Sequence, residues 1–339
     1  MPNAQALHND ALVIDTHNDT IVTHIRRGNI SMSGGEKGKR HNGTVAHLRG
    51  PLDRATLEKE VQINFAKMQT GGIDAAFFAV DVTRAWKNHL SYALDAFGFF
   101  NMEATDNNVV IARSAADIQQ AKSEGKLAAI LVIENSDGTE RSLNILHMLY
   151  QLGIRSIGLT HNPTSWAAAG NGETDSKGGL TKYGVALVSE MNTLGMLVDV
   201  SHINVHGFWD VINTVSKPII ASHSNCKAVC DHPRNLTDNQ IKALAQNGGS
   251  MGVTFVPSFV AAAAPTFENL IDHIDHAVQL VGPNHIGIGS DFDGGGTLVK
   301  DATVFPQFTE ELLNRNYSEE DIRKILGKNH LRVIKEAIG

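Results

Sequence analysis

Eight apolar runs of strand length recur along the chain, and a stretch with helical periodicity follows each of them. The runs are continuous rather than alternating, which is typical of strands buried on both faces of a parallel sheet. Strands that alternate with helices predict right-handed βαβ units. The runs comprise residues 11–17, 74–82, 127–135, 154–162, 196–202, 218–224, 250–257 and 285–293.

Helical patterns fill the intervals between these runs. Residues 267–281 place apolar side chains at i, i+3 and i+4 spacing, and Gly282 follows as a stop signal. Eight strand–helix units in 339 residues favour an α/β fold, a (β/α)8 TIM-type barrel forming a single domain over residues 1–339, over an open sheet. A divergent loop and helical insertion is expected at about residues 28–65, with its helix beginning near Ala55.

The charge and the cysteine content indicate which partners and which cellular compartment to expect. The net charge is −7 and no long basic run occurs, so no nucleic-acid partner is expected. Cys226 and Cys230 are too few for a disulfide framework and indicate free thiols in a reducing compartment. The sequence shows neither a signal-peptide pattern nor 18 consecutive apolar residues. We therefore expect a cytoplasmic protein without membrane contact.

The segment "VIDTHNDT", residues 13–20, ends the first apolar run with two polar groups that can bind metal. In a strand, residues i and i+2 point to the same side, so His17 and Asp19 would lie side by side. A turn or helix-capping cluster is the alternative, because Asp, Asn and Thr are common in turns. Potential ligands elsewhere in the chain are needed to distinguish a metal site from a turn or helix-capping cluster.

Residues that can bind metal stand at the ends of six of the eight predicted strands. In a (β/α)8 barrel these ends meet on one face, where the catalytic groups of such enzymes lie. A random distribution would place some of them within strands or on the opposite face. The pattern therefore predicts a metal site built from His17, Asp19, Glu134, His161, His202, His223 and Asp291.

Imidazoles and carboxylates suit zinc, and manganese or iron would also be possible. The set is too large for one tetrahedral ion, so we expect two Zn²⁺ per chain that share one carboxylate. His17, Asp19 and Glu134 would bind the first ion. Glu134, His202 and His223 would bind the second, with Glu134 and a hydroxide or water as bridges. Two such ions about 3.5–4 Å apart can activate the hydroxide and polarise a carbonyl.

The remaining candidate residues are expected to have other roles. His273 and His276 form an H-x-x-H pattern on an outer helix, for which we predict a solvated or half-buried face. Asp293 is expected to support a turn rather than to bind metal. Helical positions are predicted for His147 and His206, a structural role for His285, and loops near the site, where a substrate contact is possible, for His24, His41, His47 and His232.

Eight motifs resemble, in order and spacing, the renal (membrane) dipeptidase family of amidohydrolase-type barrels. They are "VIDTHND", "VIEN", "LTHN", "VDVSH", "ASHSN", "HPRN", "GIGSDFDG" and "GKNHLRV". The resemblance covers residues from about 11 to 336. It implies a binuclear zinc centre on the same five ligands, with Glu134 as the bridge. It also implies a homodimer.

The resemblance assigns roles to three further residues. His161 matches the histidine that contacts the substrate carbonyl region and stabilises the tetrahedral intermediate. Arg234 matches the arginine that holds the C-terminal carboxylate of the substrate. Asp291 matches the aspartate that handles the proton or the substrate amine. The catalytic set is therefore Asp291, His161 and Glu134, and the substrate-binding set is His161, Arg234 and Asp291.

Three segments depart from the vertebrate members of that family. Val256, in "TFV", stands where those members have a tyrosine. The loop after the fourth strand, residues 162–174, and the segment at 28–65 also differ, so side-chain specificity is not fixed by the resemblance. Glycine and alanine in "WAAAGNG" indicate an open pocket.

The leading interpretation is a zinc-dependent dipeptidase that hydrolyses free L,L- and L,D-dipeptides. A related amidohydrolase that acts on another amide, such as a β-lactam or an N-acyl amino acid, is the main alternative. A non-hydrolytic accessory member of the family is a further one, although such a protein would be expected to have lost a ligand.

Overall fold

In the part of the chain that the structure describes, nine parallel strands form one sheet, and eight of them close into a barrel. The computed structural model describes residues 3–34, 46–50, 60–85, 87–173 and 175–339. The strands are β1 (Ile14–Asn18), β2 (Ala75–Asp81), β3 (Val110–Ile111), β4 (Ala128–Glu134), β5 (Ile154–Gly158), β6 (Leu197–Asp199), β7 (Ile220–Ala221), β8 (Ser250–Val253) and β9 (Ile286–Ile288). Each predicted run overlaps one barrel strand. The short β3 was not predicted; it pairs with the start of β4.

Helices surround the barrel. Those of the described residues are α1 (Ala4–Asp10), α2 (Thr20–Arg26), α3 (Ala46–Arg49), α4 (Phe65–Gly71), α5 (His89–Asp106), α6 (Ala115–Ser123), α7 (Leu143–Leu152), α8 (Lys182–Leu194), α9 (Val205–Thr214), α10 (Asp238–Gln246), α11 (Pro257–Val260), α12 (Phe267–Val281), α13 (Pro306–Asn314), α14 (Glu319–Arg323) and α15 (Asn329–Ala337). As predicted, α12 ends at Gly282, whose φ of 78° is open to glycine without strain. No helix in the described ranges is long and apolar enough to cross a membrane.

The barrel strands are buried on both faces, which explains their continuous apolar sequences. Along β2, Phe77 and Ala79 belong to one buried cluster together with Ile14. Phe78 and Val80 alternate with them and belong to a second cluster. Because successive side chains of a strand point to opposite faces, neither face of β2 is left for water.

The last strand closes the barrel against the first. Asp15 of β1 pairs with Ile288 of β9, and its carboxylate accepts a 2.7 Å hydrogen bond from the backbone N–H of Ser290. Beyond the strands, the N–H of Asp291 donates to the carbonyl of His17 at 3.0 Å. These bonds fix the two chain segments that carry His17 and Asp291 relative to each other.

The segment expected to diverge, residues 28–65, lies partly outside the described residues. The helix predicted to begin near Ala55 falls there, as does His41. Within the described part, the backbone N–H of Gln62 donates to Asp293 at 2.8 Å. The other oxygen of the same carboxylate accepts from the N–H of Ile63 at 3.4 Å. Asp293 therefore holds this segment against the barrel, in agreement with its predicted structural role.

Candidate metal centre

The carboxyl ends of the barrel strands bring the predicted site residues together. His17 lies within β1, Glu134 is the last residue of β4, and the others follow the ends of their strands. All of them are buried except His161, which is half-buried. The fold thus brings together on one face side chains that are as far apart in sequence as His17 and Asp291, which are 274 residues apart.

Among the described residues, three groups of three potential ligands share the carboxylate of Glu134, and two of these groups are the ones expected from the sequence. His17, Asp19 and Glu134 form one group, and Glu134, His202 and His223 form the other; within each, the ligand atoms lie within 4.8 Å of one another. One oxygen, Oε1 of Glu134, lies 3.9 Å from His17 Nε2, 3.1 Å from His202 Nε2 and 3.6 Å from His223 Nε2.

The hydrogen bonds of His202 and His223 leave two lone pairs facing each other. His202 Nδ1 lies 2.8 Å from the side-chain oxygen of Asn162 and so donates to it. Ser222 Oγ donates to Asp199, so it accepts from His223 Nδ1 at 2.8 Å. Burial holds the pKa of both histidines well below the usual value, so both rings are neutral. Their unprotonated Nε2 atoms, 2.8 Å apart, therefore converge in a way that suits a cation.

The side of the centre near His17 also suits a cation. Both ring nitrogens of His17 and Oδ1 of Asp19 are buried without a hydrogen-bond partner among the described residues. Burial lowers the pKa of His17, but the charges of Glu134, Asp19 and Asp291 outweigh it and raise that pKa to about 10. Buried carboxylates and unpaired imidazole nitrogens are the ligands that zinc binds. The residues present therefore fit a pair of divalent ions.

Two acidic residues near the centre were missed by the sequence analysis. Asp81 ends β2 in register with Glu134, and its carboxylate can join Glu134 and His161 in a third group of potential ligands. Asp199 ends β6; it orients His223 through Ser222 and lies within ligand distance of His17 and His223. The signal was available, because each is an acidic residue toward the carboxyl end of a predicted run, 74–82 or 196–202.

His161 lies beside the second group of ligands. Its ring stacks on that of His202 with 4.3 Å between centroids. Burial lowers the pKa of His161, so the ring is neutral at pH 7 and keeps one N–H donor. It can therefore offer a hydrogen bond next to the ligands without adding a positive charge.

Asp291 is held by the glycine-rich loop that follows it. Its backbone carbonyl accepts hydrogen bonds from Gly294, Gly295 and Gly296 at 2.7–3.2 Å, and its φ is 60°. Burial, with the nearby charge of Asp19, raises the pKa of Asp291 to about 7, although His17 and Arg234 oppose the shift. A carboxyl group with such a pKa can both accept and release a proton near neutral pH.

Arg234 is buried against the second group of ligands. Its Nη2 donates to the carbonyl of His223 at 3.1 Å, its guanidinium lies 5.4 Å from the ring centroid of Phe259, and its buried Nε has no partner in the described part of the chain. Burial lowers the pKa of Arg234 to about 10, so it remains charged at pH 7. A buried cation with an unpaired N–H group can bind an anion.

The other histidines differ in part from the predictions. His273 was expected on a solvated or half-buried face but is fully buried, where it accepts from the N–H of Cys226 at 3.0 Å and contacts the carbonyl of Val260. His24 was expected in a loop but lies buried in α2, 2.7 Å from the carbonyl of Ile30.

Three further histidines lie away from the ligand groups. His276 contacts Asp238 and His285 contacts the carbonyl of Gly249. His47 lies in α3 rather than in a loop.

The small residues after β5 are closely packed, and the end of this segment lines a cavity of about 280 Å³ with Asn171, beside His202 and Arg234. Ala167, Ala168 and Ala169 are buried. A Cβ atom on Gly170 would lie within 2.5 Å of the carbonyl oxygens of residues 161–163. Small side chains are needed here because this loop folds back on the segment that carries His161.

Comparison with known proteins identifies the family. A sequence profile of the membrane dipeptidases, Peptidase family M19, matches residues 1–338. Dipeptidase verJ of Clonostachys rogersoniana is 35% identical over 237 residues, which are 69% of this chain and 61% of that protein. Dipeptidase aclJ of Aspergillus oryzae is 31% identical over 292 residues, 80% of this chain and 69% of that one.

Solved structures agree with this assignment. A metallopeptidase from Rhodobacter sphaeroides, liganded with a phosphinate mimic of the dipeptide L-Ala-D-Ala, superposes with a TM-score of 0.83. The two proteins are 26% identical, and the match covers 97% of this chain and 100% of that one. The chain therefore belongs to the membrane dipeptidase family, Peptidase family M19, and with it to the metal-dependent hydrolases of peptide bonds.

Proposed function

We propose that the protein is a zinc-dependent dipeptidase that hydrolyses free L,L- and L,D-dipeptides. The observation that carries the proposal is the pair of ligand groups joined through Glu134, with the buried cation of Arg234 beside one of them. This arrangement offers a peptide carbonyl a metal site and offers a terminal carboxylate a positive charge a short distance away.

Five residues would hold the metal ions. His17 and Asp19 would bind one ion, His202 and His223 the other, and Glu134 would bind both. When bound, two zinc ions would supply Lewis acidity and lower the pKa of a water molecule held between them. Asp199, through Ser222, keeps the Nε2 atom of His223 unprotonated and aimed at the ligand cluster.

The protein groups around the metals have separate tasks in this proposal. Asp291, with its pKa near 7, takes a proton from the attacking water and delivers it to the leaving amine. The neutral ring of His161 donates a hydrogen bond to the oxygen that becomes negative in the transition state. Neither task requires a large movement, because both side chains adjoin the ligands.

Arg234 would determine the length of the substrate. A guanidinium can bind a carboxylate through two parallel hydrogen bonds, which an ammonium group cannot reproduce. If the C-terminal carboxylate of a dipeptide binds there, its single peptide bond reaches the metal ligands, whereas a tripeptide is one residue too long. Hydrolysis of L,D-dipeptides is supported by the Rhodobacter relative that binds a mimic of L-Ala-D-Ala.

A dipeptide screen tests the proposal. The zinc-loaded protein should hydrolyse free L-Ala-L-Ala and L-Ala-D-Ala, and N-acetylated dipeptides should be poor substrates. Preferential hydrolysis of N-acyl amino acids or of a β-lactam would favour the related amidohydrolase instead. Turnover of none of these compounds by protein with full metal content would contradict hydrolysis and favour an accessory role.

The C-terminal group gives a second test. Arg234→Lys should raise KM for L-Ala-L-Ala strongly while the metal content stays that of the wild type. L-Ala-L-alaninamide, which lacks the carboxylate, should be a poor substrate for the wild type. Equal kcat/KM for the dipeptide and its amide would show that Arg234 does not bind the carboxylate.

The proposal also includes a homodimeric assembly and a cytoplasmic location. A homodimer follows from the family resemblance, and light scattering on the purified protein checks it. The two free thiols, Cys226 and Cys230, support a location in a bacterial-type cytoplasm. Cell fractionation with detection of the native protein checks the location.

A further inference from the structure

A third group of potential metal ligands lies at the edge of the proposed two-ion centre. Asp81, Glu134 and His161 each place one ligand atom within 4.8 Å of the other two. Asp81 and Glu134 end the paired strands β2 and β4 in register, and His161 follows β5. Of these three side chains, Glu134 alone is among the five proposed ligands, so the group contains two further side chains that can bind an ion.

The ring of His161 is available to a cation. It stacks on the ring of His202, and neither of its nitrogens makes a hydrogen bond to another residue in the described ranges. A neutral imidazole has one unprotonated nitrogen, which is the form that binds metal. Because His161 is half-buried whereas Asp81 and Glu134 are buried, it forms the side of the group that solvent and dissolved ions reach.

Asp81 is paired with a cation that can leave. Nε of Arg84 donates to one carboxylate oxygen of Asp81 at 3.1 Å, and the backbone N–H of Thr83 donates to the other at 2.8 Å. The side chain of Arg84 is 48% exposed and that of Asp81 only 3%. An ion pair with so exposed a partner contributes little, so a divalent ion can displace the guanidinium into solvent. Thr83 then still holds the carboxylate in place.

An ion in this position would interfere with the proposed reaction. When the unprotonated nitrogen of His161 faces Asp81 and Glu134, the N–H group of the ring points away from them. His161 then cannot donate to an oxyanion that forms over the metal ligands. An ion beside Glu134 would also occupy part of the space that the peptide bond needs.

We infer that Asp81, Glu134 and His161 form a third, inhibitory zinc site, which fills when free zinc exceeds the concentration that loads the two proposed catalytic positions. The inference rests on the proposed function as a zinc-dependent dipeptidase. The third site is the weakest of the three, because its ion must displace Arg84 and must share Glu134 with both other ions. Zinc therefore activates the enzyme at low concentration and inhibits it at high concentration.

Zinc content tests the site independently of activity. Wild-type protein dialysed against increasing buffered free zinc should bind a third ion, as measured by elemental analysis. Asp81→Asn should weaken this third step by about 100-fold or more, since even residues that only hydrogen-bond to a ligand contribute about 10–100-fold. The matched control is Asp238→Asn, because Asp238 contacts His276 between outer helices and could itself hold an adventitious ion; it should keep the third step. Equal third-ion affinity in the wild type and Asp81→Asn would overturn the inference.

Arg84→Gln should have the opposite effect. Without the guanidinium, Asp81 has lost its competing cation, so the third ion should bind about two- to fivefold more tightly, the factor expected for a partly exposed ion pair. A misfolded variant would not gain affinity in this way. Arg141→Gln is the matched control, because Arg141 lies over the ring of Trp166; it should bind the third ion as the wild type does. Unchanged or weaker third-ion binding in Arg84→Gln would overturn the inference.

Kinetics test the inhibition. We expect kcat/KM for L-Ala-L-Ala to fall over the range of free zinc in which the third ion binds. The midpoint of this fall should move to higher zinc in Asp81→Asn and to lower zinc in Arg84→Gln. A third ion that binds without loss of activity, or the same midpoint in all variants, would overturn the inhibitory role. Absence of turnover for every free dipeptide by protein with two ions would contradict the proposed function and the inhibitory role together, whereas the zinc content would still decide whether the site exists.

Discussion

Glu134 is the residue on which both proposed metal positions depend. One of its oxygens lies within 4 Å of three imidazole nitrogens, and its own pKa is raised well above the usual value by burial and by the charge of Asp19. An unpaired carboxylate in such surroundings is costly to ionise. Positive charge supplied by metal ions would remove that cost, which is the physical reason for a shared ligand here.

Removal of this shared charge should empty both positions. Glu134→Gln keeps the size of the side chain but loses the negative charge, so we expect metal content to fall from about two zinc per chain to below one. Elemental analysis after gel filtration measures this. Glu190→Gln is the matched control, because Glu190 contacts His147 on the outer helices; it should keep both ions. Retention of two ions in Glu134→Gln would contradict the shared-ligand scheme.

Asp291 should be required for turnover rather than for metal. Asp291→Asn keeps the shape of the side chain but cannot accept a proton, so we expect kcat to fall on the order of 10²–10⁴-fold. Metal content should remain close to that of the wild type. Steady-state kinetics and elemental analysis on the same preparation measure both. A variant that loses its zinc would identify Asp291 as a ligand.

At the scale of elements, strand ends were predictable and side-chain burial was not. An apolar run that stops at a histidine or an acid marks the carboxyl end of a barrel strand, because parallel strands share that face. Burial of His273 depends instead on Cys226, 47 residues away in sequence, which no local pattern reveals. Asp81 and Asp199 were overlooked because each continues an apolar run rather than beginning a polar motif.

The loop after β9 controls the geometry of two carboxylates. A Cβ atom on Gly294 would lie 2.2 Å from oxygens of both Asp19 and Asp291, so at least one carboxylate must move in Gly294→Ala. Since displacements of about 1 Å can cost about 10²-fold in rate, we expect a loss of that order in kcat/KM with the fold retained. Enzyme kinetics together with circular dichroism measure the two effects.

The matched control for that substitution is Gly98→Ala. A Cβ atom there meets nothing within 4 Å, and Gly98 lies within α5. Alanine should therefore stabilise the helix by up to about 1 kcal/mol and leave kcat/KM unchanged. Wild-type activity in Gly294→Ala would show that the carboxylates adjust without consequence.

At the scale of the whole molecule, α15 packs beneath the barrel through a buried histidine. His330 Nδ1 lies 3.0 Å from Ser250 Oγ of β8, and a Cβ atom on Gly287 of β9 would lie 2.0 Å from His330 Nε2. Glycine at this position therefore lets the imidazole sit directly on the strand. From α15, the fully buried His330 thus contacts two neighbouring strands of the barrel.

Stability should consequently depend on pH through His330. Burial lowers its pKa from 6.5 to about 3, so below pH 6.5 the unfolded chain binds a proton that the folded chain does not. The free energy of unfolding should therefore fall as pH falls from 6.5 toward 3. Compared with His330→Gln, which cannot be protonated, the wild type should lose up to about 1.4 kcal/mol more per pH unit.

Urea unfolding of metal-free protein between pH 7 and pH 4 measures this difference. The metal must be absent, because protonation of the proposed ligand histidines would release bound metal over the same pH range. Parallel pH dependence of the wild type and His330→Gln would show that the buried imidazole is already protonated in the folded state or that it is accessible to water.

The hydrogen bonds that join the last strand to the first determine when the proposed metal site can form during synthesis. The N–H of Asp19 donates to the carbonyl of Phe292 at 2.9 Å, so the first metal ligands reach their places only after the last strand has been made. At about 5–20 residues per second, a ribosome needs about 15–55 s to travel from one to the other. Until then the proposed ligands His17 and Asp19 lack the backbone contacts of the finished site, so we expect metal to bind after synthesis rather than during it.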